Sequence, residues 1–159
     1  MPEDIEWHFI GPLQSNKAAM LVKNVPSLAC VETVSTTKLA TKLNNAVPDD
    51  DTKKLGIYIQ VNTSGEASKS GVSTKEEASD LVEYISTNCP KLELQGLMTI
   101  GAPGDDSCFD TLMDYRTHLG NPSLELSMGM SGDYEQAIAK GSTSVRVGST
   151  IFGQRNYNK

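Results

Sequence analysis

The sequence predicts an α/β protein of the parallel (β/α) TIM-type barrel kind, incomplete at about six of the eight strand–helix units of a full barrel. Two observations lead there. Short apolar runs alternate with helical patterns along the whole chain. Strict alternation of that sort builds a parallel sheet with right-handed crossovers. The chain has 159 residues, whereas a complete barrel takes ~250. At roughly 30 residues per unit, it falls about two units short. An open doubly wound sheet is the competing solution. No low-complexity linker or charge block divides the chain, so residues 1–159 are expected to form a single partial barrel domain.

The elements follow in order. Trp7-His8-Phe9-Ile10 reads as a strand, and Gly11-Pro12 separates it from a helix over about Lys17 to Lys23. Leu28 to Thr33 is the second strand. Ser35 is the expected cap of a helix that places Leu39, Leu43 and Ala46 on one face. Leu55 to Val61 is the clearest strand, and a Gly/Ser loop runs from Ser64-Gly65 to Gly71. Ser73 and Glu76 have capping-box spacing. The helix they open carries Ala78, Leu81, Val82 and Ile85 as an apolar stripe, and Asn88-Cys89-Pro90 stops it. A strand over Leu92 to Ile100, the loop at 101–104 and a helix around Phe109, Leu112 and Met113 come next. Leu124 to Met128 is a strand, Asp133 to Lys140 a short helix ended by Gly141, and Ser144 to Val147 the last strand.

Composition narrows the function. An apolar share of 38% with 6% aromatics is that of an ordinary globular protein rather than a disordered one. A net charge of −6 argues against non-specific nucleic-acid binding, which needs a basic face. A local anion site stays compatible with it, because one Arg and a helix N-terminus suffice. No run approaches the ~20 apolar residues of a membrane span, and the acidic start Met1-Pro2-Glu3-Asp4 has no signal-peptide pattern. Cys30, Cys89 and Cys108 lack metal-ligand spacing, so reduced structural thiols in a cytoplasmic protein are expected.

The last strand carries the most chemistry. Its period of two puts Val145 and Val147 on one face and Ser144, Arg146 and Gly148 on the other. Arg146 then points into the barrel, where a cation needs an anion or an acceptor. A ligand and a structural ion pair are both open. Gly148-Ser149-Thr150 follows at a strand-to-helix turn, with backbone N–H groups and hydroxyls suited to a phosphate, and barrels favour phosphate in their last two loops. Met128-Gly129-Met130-Ser131-Gly132-Asp133 is a similar turn, in which Ser131 either joins that cradle or caps the Asp133 helix. His8 is either a satisfied core histidine or a pocket residue. Asn62 either reaches a ligand or starts the Thr63-Ser64-Gly65 turn. His118, beside Arg116 on a helix, reads as surface. Ser/His/Asp sets, paired carboxylates and Walker sequences are absent.

Five ordered motifs resemble one family. They are His8-Phe9-Ile10-Gly11-Pro12-Leu13-Gln14-Ser15-Asn16-Lys17; Val61-Asn62 through Glu66, with Lys69-Ser70-Gly71; Gly96-Leu97-Met98-Thr99-Ile100; Leu126-Ser127-Met128-Gly129-Met130-Ser131, with Asp133; and Arg146-Val147-Gly148 through Phe152-Gly153, with Arg155. The chain is thereby identified as a member of the pyridoxal 5′-phosphate (PLP) homeostasis proteins, which are similar to the N-terminal barrel of alanine racemases.

The resemblance implies a (β/α)8 barrel that binds PLP without an established reaction. It implies that Ser131, Gly148, Ser149 and Thr150 hold the phosphate. Arg146 faces the pyridine nitrogen, and Asn62 and His8 line the pocket. In the family, the Schiff-base lysine lies on the first strand, upstream of the motif that here begins at His8. Lys17 and Lys69 stand in other contexts, so PLP is expected to bind non-covalently at best, with its homeostatic role impaired. The alternatives are a racemase-like PLP enzyme, which needs that lysine and a second acid/base, or a truncated product that binds no ligand. The family resemblance implies a monomer, whereas the exposed edges of a partial barrel invite self-association.

Overall fold

The computed structural model describes residues 4–49, 53–65, 70–102 and 104–154. Six parallel strands alternate with helices: β1 (Trp7–Phe9), β2 (Leu28–Val34), β3 (Leu55–Gln60), β4 (Leu92–Met98), β5 (Glu125–Met130) and β6 (Ser144–Arg146). The helices are α1 (Ala18–Asn24, entered through a 3-10 turn at Ser15–Lys17), α2 (Thr37–Ala46), α3 (Lys75–Asn88), α4 (Ser107–His118), α5 (Tyr134–Ala139) and α6 (Ser149–Phe152). The strand order is β1-β2-β3-β4-β5-β6, every neighbour parallel. A doubly wound sheet reverses its order at a switch point; this one never does. The strands therefore curl one way into half a (β/α) barrel, with β1 and β6 at its edges.

The pleat sorts residues between two faces. Ile57, Ile59, Leu97, Leu126 and Met128 face the helices and join Leu39, Leu43, Leu81, Ile85, Phe109 and Leu112 in one core. Each such side chain, once buried, contributes about 1.5–3 kcal/mol. On the concave face Cys30, Tyr58 and Met98 form a separate small cluster. A Cβ at Gly96 would stand 2.2 Å from the Tyr58 ring and 2.4 Å from the Glu125 carbonyl oxygen, so only glycine leaves room there. The curl is strong enough that Glu32 of β2 takes a hydrogen bond from Ser127 of β5 across the concave face, although β3 and β4 lie between them in the sheet.

Three capping expectations are corrected. Thr36, not Ser35, caps α2, its hydroxyl accepting from the Leu39 amide at 3.2 Å. The box before α3 sits one residue later than Ser73 and Glu76: Thr74 accepts from the Glu77 amide, and the Glu77 carboxylate accepts from the Ser73 amide. In both cases the extended residue directly before the first helical turn is the one whose hydroxyl reaches the orphan amide. Ser131 does not cap α5. Asp133 is the N-cap residue, and its carboxylate accepts instead from the Met130 amide at 2.6 Å. Strand ends differ by one or two residues from the expected ones, as is usual for element boundaries. Val61 leaves β3 to bridge Val72, and the segment after Gly71 packs so close that a Cβ there would lie 2.5 Å from the Asn62 amide nitrogen.

Candidate functional site

The C-terminal ends of the strands carry Asn62, Ser131, Arg146 and the Gly148-Ser149-Thr150 turn, whereas His8 connects to Arg146 only through Glu32 and Ser127. Arg146, on β6, points onto the concave face as its period required. Its Nη1 donates to Ser127 Oγ at 2.9 Å and its Nη2 to the Thr99 carbonyl oxygen at 2.7 Å. Ser127 Oγ in turn donates to Glu32 Oε2 at 2.5 Å, and Glu32 Oε1 lies 2.7 Å from His8 Nδ1. The half-buried guanidinium thus reaches a carboxylate through a hydroxyl. Burial pulls its pKa below the usual arginine value, and the charges of Glu32 and Asp133 oppose that shift. His8 is satisfied by Glu32, and its side chain, 38% exposed, opens toward the starts of the strands beside Glu6, Tyr58 and Glu125 rather than into the cleft at their C-terminal ends.

The two turns meet. Ser131 Oγ accepts from the Gly148 amide at 2.9 Å and the Thr150 amide at 3.4 Å. Gly148, Ser149 and Thr150 are exposed, and no atom outside the adjacent residues stands within 4 Å of a Cβ placed at Gly148. Asn62 lies across the mouth in a cleft of about 170 Å³ with Gly11, Thr33, Thr63, Thr99 and Gly101. Its Oδ1 accepts from Ser64 Oγ at 3.1 Å, so it shapes the turn as well as the cleft. Thr99 joins the two halves: its hydroxyl is 2.8 Å from that of Thr63, and its carbonyl holds Arg146. Lys17 is exposed at the end of the 3-10 turn. Glu66, Lys69 and Arg155 of the motifs lie outside the described residues.

Sequence reasoning missed Glu32, Ser127 and Thr99. A signal existed for the first two. Glu32 sits in Cys30-Val31-Glu32-Thr33-Val34 and Ser127 in Leu126-Ser127-Met128, polar residues inside strands that are otherwise buried. A buried charge demands a partner, but nothing in one sequence says which. Nearer the starts of the strands on the concave face, the Tyr58 hydroxyl donates to the exposed Glu125 carboxylate. Burial first, then that contact, pushes the Tyr58 pKa far up. Burial also raises the Cys30 thiol, with Glu32 and Glu125 adding to the effect. All three cysteines are buried, as their structural reading expected. His118 is exposed. Among the described residues no helix is long and apolar enough to cross a membrane.

A one-way curled parallel sheet with polar side chains gathered at its C-terminal mouth defines the class, an incomplete (β/α) barrel of the TIM type. The sequence profile of the family described as "Alanine racemase, N-terminal domain" matches residues 7–156. The chain is 47% identical to the pyridoxal phosphate homeostasis protein of Bos taurus, the match covering 98% of this chain and 61% of that protein. It is 44% identical to the Schizosaccharomyces pombe protein of the same name over 100% of this chain and 69% of that one. Among solved structures, PipY of Synechococcus elongatus with PLP bound superposes with a TM-score of 0.78 at 28% identity, covering 94% of this chain and 71% of PipY. The chain belongs to the alanine racemase N-terminal domain family, within its pyridoxal phosphate homeostasis branch. It spans 61% of the length of the bovine relative.

Proposed function

We propose that this chain provides the phosphate- and ring-facing part of a pyridoxal 5′-phosphate site, and that it serves vitamin B6 homeostasis in the cytoplasm as a non-catalytic binding protein. The observation that carries the reading is the meeting of the Ser131 turn with the Gly148-Ser149-Thr150 turn beside an inward arginine. The donor set fits the group. Ser131 Oγ already accepts two amide hydrogens, so its own proton is directed away from them, toward an acceptor outside. Ser149 and Thr150 add hydroxyls beside it, and the loops after the last strands are where barrels hold phosphate. PLP, when bound, supplies an electron sink. An arginine at the ring nitrogen keeps that nitrogen unprotonated and weakens the sink, which suits a carrier more than a catalyst. Asn62 lines the approach from the other side of the mouth, and His8 stands behind Glu32, toward the starts of the strands. The edges β1 and β6 each have one sheet neighbour among the described residues, which supports self-association of the 159-residue polypeptide; a sharp monomer peak in light scattering would count against that.

The test is equilibrium binding of PLP to the polypeptide, with inorganic phosphate as competitor. Saturable binding that phosphate displaces is expected. Borohydride treatment and peptide mapping should find no single dominant pyridoxyl-lysine, since no lysine here stands in the family's context. Absence of phosphate-sensitive binding would defeat the reading, and one stoichiometrically labelled lysine would show that another residue serves as anchor.

A further inference from the structure

We propose that Glu32 is a positioning residue: its carboxylate, held under the mouth of the half-barrel, sets the orientation of Arg146 through Ser127 and the proton position of His8. The ligand named in the test rests on the PLP reading above; the arrangement itself does not.

Glu32 is 2% exposed. A buried carboxylate is retained at such a cost only where hydrogen bonds compensate it. Both oxygens are engaged, Oε1 by His8 Nδ1 at 2.7 Å and Oε2 by Ser127 Oγ at 2.5 Å. A carboxylate only accepts, and this fixes the polarity of everything attached to it. Ser127 is fully buried and spends its one proton on Glu32, so it receives Arg146 Nη1 on a lone pair. The second anchor, from Nη2 to the Thr99 carbonyl, comes from a different nitrogen of the same planar group. Two anchors on two nitrogens fix the guanidinium plane and therefore the directions of its remaining N–H bonds. On the other arm, Nδ1 of His8 must carry the proton it gives to Glu32. In this tautomer Nε2 is the acceptor, the choice being made by the partner of the opposite nitrogen. One side chain thus joins His8 on β1 to the β5–β6 pair, which the sheet order sets apart from it by three intervening strands.

Two variants separate the arms. Glu32→Leu removes both; Ser127→Ala removes only the one to Arg146. Without ligand, ¹⁵N NMR reads the two His8 ring nitrogens and the Arg146 guanidinium nitrogens. The wild type should show His8 protonated at Nδ1 and resolved Arg146 Nη signals, because its anchors stop rotation. Glu32→Leu should change both, whereas Ser127→Ala should average the Arg146 signals and leave His8 as it was. With ligand, both variants should weaken PLP binding about fivefold while inorganic phosphate binding stays within about twofold. Affinity for PLP within about twofold of wild type in both variants overturns the proposal, as does an unchanged His8 in Glu32→Leu. If Glu32→Leu does not fold, Ser127→Ala decides by its Arg146 signals and its PLP affinity. If the wild type binds no PLP, the functional reading fails, and the ligand-free spectra still decide the role of Glu32.

Discussion

The two faces of the sheet are built by different physics. The convex face holds Ile57, Ile59, Leu97, Leu126 and Met128 against helices, and its stability comes from non-directional burial. The concave face holds His8, Glu32, Ser127 and Arg146, with Tyr58 and Glu125 toward the starts of the strands, and its order comes from hydrogen bonds whose direction matters. Apolar volume can be exchanged on the first face with modest loss. On the second, removing one partner strands the next. Stability should therefore concentrate on one face and recognition on the other.

Adjacent residues of β4 probe that contrast most sharply, with the largest effects. Leu97→Ala empties a fully buried convex position and should cost about 3 kcal/mol in denaturant unfolding. Gly96→Ala, one residue away, should cost about 1–3 kcal/mol for the opposite reason, overpacking against the Tyr58 ring and the Glu125 backbone. If PLP is bound as proposed, the Gly96 variant should also disturb ligand affinity, whereas the Leu97 variant should lower stability and leave the affinity of its folded fraction unchanged. Equal effects of both on affinity would erase the distinction.

In the proposed site the mouth divides again, between a phosphate side and a ring side. Ser131→Ala combined with Thr150→Ala should reduce PLP affinity about a hundredfold, since charge-assisted hydrogen bonds to a phosphate are each worth about 1.5–3 kcal/mol. Arg146→Ala should reduce it by about tenfold or less, because the localised charge lies on the phosphate. Isothermal titration of the three proteins checks the order, and the reverse order would move the main binding contact to the ring. The smallest effect is expected on the outer layer. Thr74→Ala removes the hydroxyl that accepts from the Glu77 amide, and should cost about 1 kcal/mol of stability. Ser73→Ala should cost far less, as its hydroxyl is not the cap.

Much of this was legible beforehand, unevenly. The order of strands and helices could be read because each element needs only its own apolar period and its breakers. Arg146 pointed inward because a strand has only two faces, and the two glycine–hydroxyl turns stood out because such turns are local. The capping residues were missed by one position, since several hydroxyls precede α2 and α3 and only the backbone angles choose among them. Ser131 was ambiguous for a related reason: capping is local, whereas its amide partners lie on the next unit, at Gly148 and Thr150.

The sequence by itself determined the alternation, the apolar face of each helix, the inward side of β6 and the family to which the motifs point. Only the tertiary structure decided that the sheet curls without reversing, that Glu32 and Ser127 meet across β3 and β4, and that Thr99 joins the Arg146 side of the mouth to the Asn62 side. The reason is physical. Burial and periodicity act along the chain and leave their pattern in it, but a hydrogen bond across a barrel depends on how far the whole sheet has turned, which no short stretch of residues records.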